Sequence, residues 1–587
     1  MDAKSVYDPV LQWAIAFFKL PAKDDDVSSV SNSNNCPELE LAISELRAGA
    51  SALGELSIGE RIGLVNACIT NVANSAESWV EAVCKAKRIA IDQPIASEEI
   101  LVGPTSLLRY LRLLSKTLQD FQNHSAPRLP AKPRTNSVGR TCVPILPVNS
   151  LYDSIVFMGL KAEVWLNPDN PGKTDQDMFD DCDSQTNEPK IAGVLGAGNV
   201  SSIPATDMLH KIFREHQSVL LKLNPVNEYL EPIFNSAFAP LIEAKLLRVI
   251  RGGGEVGKAI VDHPDIDSIH ITGSHITHEA IVWGSDEDSR QRRRAEKNPV
   301  VTKAITSELG NVSPWIVVPG KYSRRQLKSQ AEHMVASITN NASFNCLATK
   351  MIVTSITWAQ RTEFLDLLQS LLKKVPDRFA YYPGAAERFA KATGRAVPEN
   401  TDGTLPWTLI RNADPQQDPH LFAEESFVCV CAETALDSTS DKQFLESAVA
   451  FANERLFGTL NASITIPNQF RRLHIHELNQ AIEKLRYGSV CINQWSGINY
   501  GLMAPPWGGH PGATLENPES GIGHVHNTFW LKDFEKSVLW GPLWNLPKPV
   551  WFASNNTANK VAWALFRIYE KPSLTRLPKL LWHAVRG

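Results

Sequence analysis

Apolar residues recur every three or four positions through PELELAISELRAGASALGELSIGERIGLVNACI, which predicts helices over most of the first 125 residues or so. Ser57 and Glu60 stand three apart ahead of a periodic run, the signature of a capping box. The opening MDAKSVYDPVLQWAIAFFKL reads as an amphipathic surface helix. It carries acidic residues and lacks a small-residue cleavage site after a long apolar run, so no secretory signal is read there. NHSAPRLPAKPR, near residue 130, is a proline-rich connector. RTCVPILPVN and SIVFMGLKAEVWL are β-rich, and the polar PDNPGKTDQDMFDDCDSQTNEPK that follows reads as an exposed loop.

From Lys190 the period alternates between strand and helix. IAGVLGAGN is a buried strand running into a turn, and SIPATDMLHKIFREH the helix after it. SVLLKLNP is the next strand, with Lys222 at its end. AKLLRVIRGGGEVGKAIVDHPDIDSIHITGS gives strand, Gly-rich turn, helix, and a strand ending at Thr272-Gly273-Ser274. A doubly wound parallel sheet binds ligands at the carboxyl ends of its strands, where Lys222, Gly273 and Ser274 fall. Gly196 and Gly198 suggest a dinucleotide turn, but the third glycine of that fingerprint is missing, and a plain tight turn fits as well.

Length changes the picture: 587 residues exceed one core, so two or three domains are expected. A formal net charge of −4 argues against a general nucleic-acid binder. No stretch reaches the length of a transmembrane helix. The nine cysteines include no CxxC pair, which fits a reducing, cytoplasmic setting without a zinc ribbon or disulfide scaffold. Cys429 and Cys431 alternate, as two core residues on one side of a strand would. His270 and His275 bracket the TGS turn without a third residue at metal spacing, and QRRRAEK reads as a solvated loop.

The chemistry rests on two residues in order: Glu308 in TSELGNVSP and Cys346 in NNASFNCLATKMIV. A thiolate is the best side-chain nucleophile for a carbonyl carbon, and a carboxylate can activate the water that cleaves a thioester. A buried structural cysteine and a surface acid are the competing readings.

Together with VLGAGN to HITGS before them, these segments resemble the aldehyde dehydrogenase superfamily over roughly residues 190 to 540. By that resemblance, Cys346 is the nucleophile, Glu308 the general base, and Asn199 the amide of the oxyanion hole. Lys222 would hold the adenosine ribose of NAD or NADP, Gly273 and Ser274 the pyrophosphate. Glu425 would bind the nicotinamide ribose, with Phe427 beside it, in AEESFVCV. FANERLFGTLNASI, LRYGSVCINQ and PPWGGHPG resemble later family segments. The chain also departs from the pattern. Pro225 stands where a ribose-binding acid is usual, which leaves NAD against NADP open. Val428 replaces a glycine, and Asn311 the second glycine of ELGG. GAGN is also similar to acyl-CoA reductases of the superfamily.

The resemblance implies an α/β fold in which a Rossmann-like cofactor domain accompanies an α/β catalytic domain and a β-hairpin oligomerisation arm. The expected parts are a helical 1–135, a β-rich arm over 136–166, a cofactor domain over 190–320, a catalytic domain over 321–510, and a strand with a basic tail over 511–587. The arm and the late strand would make a homodimer or larger homo-oligomer. The expected function is NAD(P)-dependent oxidation of an aldehyde, long-chain if the tail meets lipid, through a thiohemiacetal and a thioester, with the thiol activated by its local field. The alternatives are an acyl-CoA reductase, which a hydrolytic Glu308 disfavours, and a non-catalytic scaffold of the same fold. In the tail, Val561, Leu565, Ile568 and Tyr569 follow helical spacing among tryptophans and basic residues. That suits either peripheral contact with an anionic membrane or a helix packed on the body.

Overall fold

The computed structural model describes residues 37–148, 152–168, 178–180, 188–397 and 402–587. The opening amphipathic helix and most of the polar insert lie outside the described residues. Ser57 caps the helix Ile58–Ala86, and the reciprocal bond with Glu60 is present, so the capping box is real. This helix packs its buried face (Val65, Val72, Trp79, Val83) on Ser106–His124 through Leu107, Leu111 and Leu114.

Three strands follow: β1 (Arg134–Thr135), β2 (Thr141–Leu146) and β3 (Lys161–Leu166). Five more form one parallel sheet: β4 (Lys190–Leu195), β5 (Gln217–Lys222), β6 (Leu247–Ile250), β7 (Ser268–Gly273) and β8 (Ala304–Leu309). Their order is β6-β5-β4-β7-β8. Order reverses between β4 and β7, so the crevice where such sheets take ligands opens beyond those two strand ends. Apolar side chains on both faces, such as Ile191 and Val194, make the strands continuous buried runs, as helix-covered parallel sheets require.

The second sheet takes β9 (Ser313–Val317), β10 (Thr349–Ser355), β11 (Thr408–Ile410), β12 (Val430–Leu436), β13 (Asn461–Thr465), β14 (Ser489–Ile492) and β15 (Phe534–Trp540). With the first three strands its order is β1-β2-β3-β15-β14-β13-β9-β10-β12-β11. The chain changes sheet between Leu309 and Ser313, ahead of the boundary expected at 320. The hairpin β2–β3 is not a free arm. β3 pairs antiparallel with β15, and β15 pairs parallel with β14, so the hairpin continues the second sheet.

Two other expectations change. QRRRAEK lies mostly in an exposed helix, Glu287–Ala295, capped by Asp286. Cys429 and Cys431 pack into different cores, because Val430 N–H bonds Val428 C=O and breaks the alternation where β12 begins. The helix Ala558–Glu570 buries Val561, Phe566, Ile568 and Tyr569, so this part of the tail is packed on the body. Tyr569 Oη accepts from Arg109, whose guanidinium also pairs with buried Asp153 at 2.7 Å. No helix among the described residues is long and apolar enough to cross a membrane.

Arg109→Met removes the cation from this buried group and leaves Asp153 without it. The expected cost is ~3–5 kcal/mol, read as a fall in the midpoint of thermal unfolding; an unchanged midpoint contradicts the role given to this pair.

Candidate active site

The turns after β4, β5 and β7, the end of β8, the loop before β10 and the segment before β12 converge on one cleft of about 280 Å³. All eight residues singled out in the sequence line it: Asn199, Lys222, Gly273, Ser274, Glu308, Cys346, Glu425 and Phe427.

Cys346 lies in a turn held on both sides. Its carbonyl accepts from Ser313 Oγ at 2.9 Å and Asn461 Nδ2 at 3.2 Å, and Asn345 Oδ1 accepts from the N–H of Leu347 at 2.9 Å. Its thiol points at Glu308, with Sγ to Oε1 at 3.7 Å. Glu308 is on strand β8, not in a loop, and is buried. Burial, with the charge of Asp207 behind it, pushes its carboxyl up to about 8, although the Trp507 indole and the Cys346 thiol pull it down. The thiol itself is pushed well above its ordinary value, by burial first and then by Glu308 and Glu425. The expected activating field is therefore reversed: two carboxylates face the sulfur, and the resting group is a thiol that donates to Glu308.

Glu425 rests against Gly310. A Cβ at that position would come within 1.8 Å of its Oε2, which is the physical need for glycine after Glu308-Leu309. Burial raises Glu425 to about 7 while Lys350 and Arg388 oppose the rise. The Lys350 ammonium bonds Ser343 Oγ at 2.9 Å and the Val428 carbonyl at 2.9 Å, tying the nucleophile loop to the segment that carries Glu425 and Phe427. Phe427 has φ 42° and packs with Phe344 and Tyr382.

Asn199 does not present a free amide. Its Nδ2 donates to Phe344 C=O at 3.1 Å, two residues before Cys346. Around it stands a buried hub that sequence reasoning missed. Asn341 Nδ2 donates to the carbonyls of Asn199 (2.9 Å) and Phe344 (2.8 Å). Its Oδ1 accepts from Lys87 Nζ at 2.8 Å and Tyr381 Oη at 2.9 Å. Lys87 is paired with Glu99 at 2.9 Å. Asn341, Ala342 and Ser343 all have positive φ, a strained run that the hub holds in place. The signal for Asn341 was its nearness to Cys346; Lys87 and Tyr381 come from remote segments and left none.

At the other end of the cleft, burial lowers the Lys222 amine to about 8, and Glu228 opposes the shift. Glu228 follows Pro225 by three residues, and its Oε1 accepts from Gly252 N–H at 2.8 Å. An acid is thus present near Lys222 despite Pro225. Ser274 caps the helix His275–Trp283, accepting from Thr277 N–H at 3.2 Å. Gly273 is exposed, and a Cβ there would meet only Ile271 at ordinary distance, so the turn is open on the cleft side. Strand ends, a helix N-terminus, a lysine and two carboxylates suit an elongated dinucleotide. Among the described residues no cluster of His, Cys, Asp or Glu could hold a metal ion.

Residues 224–377 match the model of the aldehyde dehydrogenase family. The aminoacetaldehyde dehydrogenase of Pseudomonas aeruginosa is 24% identical over 331 residues, 51% of this chain and 56% of that protein. The chain spans a little over half the length of the curated relatives it matches. In structure it is similar to an NAD-dependent aldehyde dehydrogenase from Sinorhizobium meliloti, with TM-score 0.56, 17% identity and 88% of each chain covered. It is also similar to a glyceraldehyde-3-phosphate dehydrogenase from Methanocaldococcus jannaschii complexed with NADP. There the TM-score is 0.55 and the identity 16%, over 86% of this chain and 94% of that one.

The electrostatics predict how Cys346 reacts. In the cofactor-free protein, alkylation of Cys346 by iodoacetamide should be slow at neutral pH and rise about tenfold per pH unit toward pH 9. Glu308→Gln removes one of the facing charges, so at pH 9 it should speed alkylation several-fold. A slower reaction would contradict the field described.

Proposed function

We propose that the chain is a distant member of the aldehyde dehydrogenase family and that it oxidises an aldehyde to a carboxylate with NAD or NADP, through a thioester on Cys346. The observation that carries this reading is the pair itself: a half-buried thiol 3.7 Å from a buried carboxylate, in one cleft with the ends of a doubly wound sheet.

The dinucleotide supplies the hydride acceptor. Lys222, Gly273 and Ser274 are assigned to its adenosine and pyrophosphate end, Glu425 and Phe427 to its nicotinamide end. The Cys346 thiol gives up its proton to solvent, and its sulfur adds to the aldehyde carbon as a thiohemiacetal. The backbone N–H of Cys346 and the Asn199 amide are assigned to the oxyanion, a donor of this kind being worth about 3 kcal/mol. Asn199 reaches that role by sharing its amide with, or releasing it from, Phe344 C=O. Once hydride has left, the thioester carbon is open to water. Deprotonated Glu308 accepts a proton from that water as it adds, and Cys346 leaves as the thiolate.

An acyl-CoA reductase is the second reading. The contact between Glu308 and Cys346 favours hydrolysis, since a thioester meant for thiol exchange is poorly served by a base 3.7 Å away. Assay of reduced-cofactor formation over an aldehyde panel, with and without CoA, separates the two.

Cys346→Ala should abolish turnover while nucleotide binding persists. Glu308→Gln should leave a burst of reduced cofactor and slow the steady state on the order of 10²–10⁴-fold; equal slowing of both steps sinks the role of base. Because Glu308 works deprotonated and sits near 8, steady-state turnover should rise with pH through an inflection near 8. That inflection should vanish in Glu308→Gln.

A further inference from the structure

The tail divides into two helices with opposite characters. Ala558–Glu570 is packed on the body, whereas Leu577–Val585 is held by one face only. Its inner face, Leu577, Leu580 and Ala584, closes a small core with Val561, Ala564 and Ile568. Its outer face is apolar as well: Trp582 is 61% exposed and Val585 75%, with Leu581 beside Val585 and Leu574, 55% exposed, in the turn before. A short helix held inward by leucines has no folding reason to carry Trp and Val outward.

The surrounding charge is of one sign. Residues 571–587 contain Lys571, Arg576, Lys579 and Arg586 and no acid. Lys579 and Arg586 flank the apolar stripe, and the Arg586 guanidinium lies 4.9 Å from the Trp582 ring centre. Burial first, and then Lys560, Lys579 and Arg586, lower the His583 imidazole, so these cations stand near it. The nearest acid in sequence, Glu570, is engaged by Arg567 and Arg576.

We propose that the outer face of Leu577–Val585, with Leu574, docks on an anionic lipid surface, Trp582 and Val585 entering the headgroup boundary while Lys571, Lys579, Arg586 and Lys560 meet lipid phosphates. The unbalanced positive charge selects lipid over a second copy of this chain, whose same face would carry the same charge. Joined to aldehyde oxidation, docking makes long-chain aldehydes, which partition into lipid, the substrate class. The docking itself does not depend on that reading.

The test is co-sedimentation of the full chain with vesicles of phosphatidylcholine alone and of phosphatidylcholine with roughly one third phosphatidylserine. Binding is expected to the anionic vesicles, weakening with salt, with each basic residue removed costing about fivefold in affinity. The double variant Trp582→Asp/Val585→Asp, at exposed positions, should fold normally and lose at least about tenfold. Leu41→Asp, an exposed apolar residue on the helix Pro37–Glu55, should leave binding unchanged. No binding, equal binding to neutral vesicles, or binding untouched by the double variant overturns the inference. So does a concentration-dependent dimer that the double variant abolishes, since the face would then be a protein interface. If vesicles bind but the long-to-short aldehyde activity ratio ignores them, docking stands and the substrate class falls.

Discussion

The site depends on one buried side chain, Asn341, whose amide joins three separate parts of the chain. Its Nδ2 holds the Asn199 carbonyl after β4 and the Phe344 carbonyl two residues before Cys346. Its Oδ1 is held by Lys87 from the helical region and Tyr381 from the catalytic side. A buried amide is stable only if its donors and acceptor are met, and here each is. The same bonds help fix a backbone run at positive φ, together with Glu98 on the Asn341 N–H and Lys350 on Ser343. Loss of any arm would therefore loosen the nucleophile turn and the candidate oxyanion amide together.

Burial decides the electrostatics. Glu308 and Glu425 both sit far above ordinary carboxylates, and both raise the Cys346 thiol. The resting site stores protons instead of charge. This suits a nucleophile that should be quiet until the cleft is filled: an oxidised nicotinamide carries positive charge, and a cation near a thiol favours the thiolate. The close seating of Glu425 on Gly310 keeps this balance compact, since any side chain at that glycine would displace the carboxylate.

Local signals made much of this legible. Strand alternation and strand-end residues located Lys222, Gly273 and Ser274, because parallel strands present their carboxyl ends to ligands whatever the loops do. Cys346 and Glu308 stood on short segments whose chemistry was plain. What failed was non-local. The pairing of β3 with β15 joins residues more than 350 positions apart, and nothing in either segment states whether the ladder closes within the chain. Glu308 could have been a surface acid, yet β8 runs through Leu309 and buries it. The thiol's field was misjudged because Glu425 reaches it from the segment before β12, far along the chain. Lys87 and Tyr381 act through Asn341, so composition around them carried no trace of the site. In the tail, helical spacing marked Ala558–Glu570 as amphipathic but could not tell that its partner surface was already present.

The most direct measurement is acid-quench mass spectrometry of Glu308→Gln after brief mixing with an aldehyde. An acyl adduct is expected on the Cys346 peptide when nicotinamide dinucleotide is present, and none without it. An adduct on another cysteine, or none while aldehyde is consumed, would contradict the role given to Cys346.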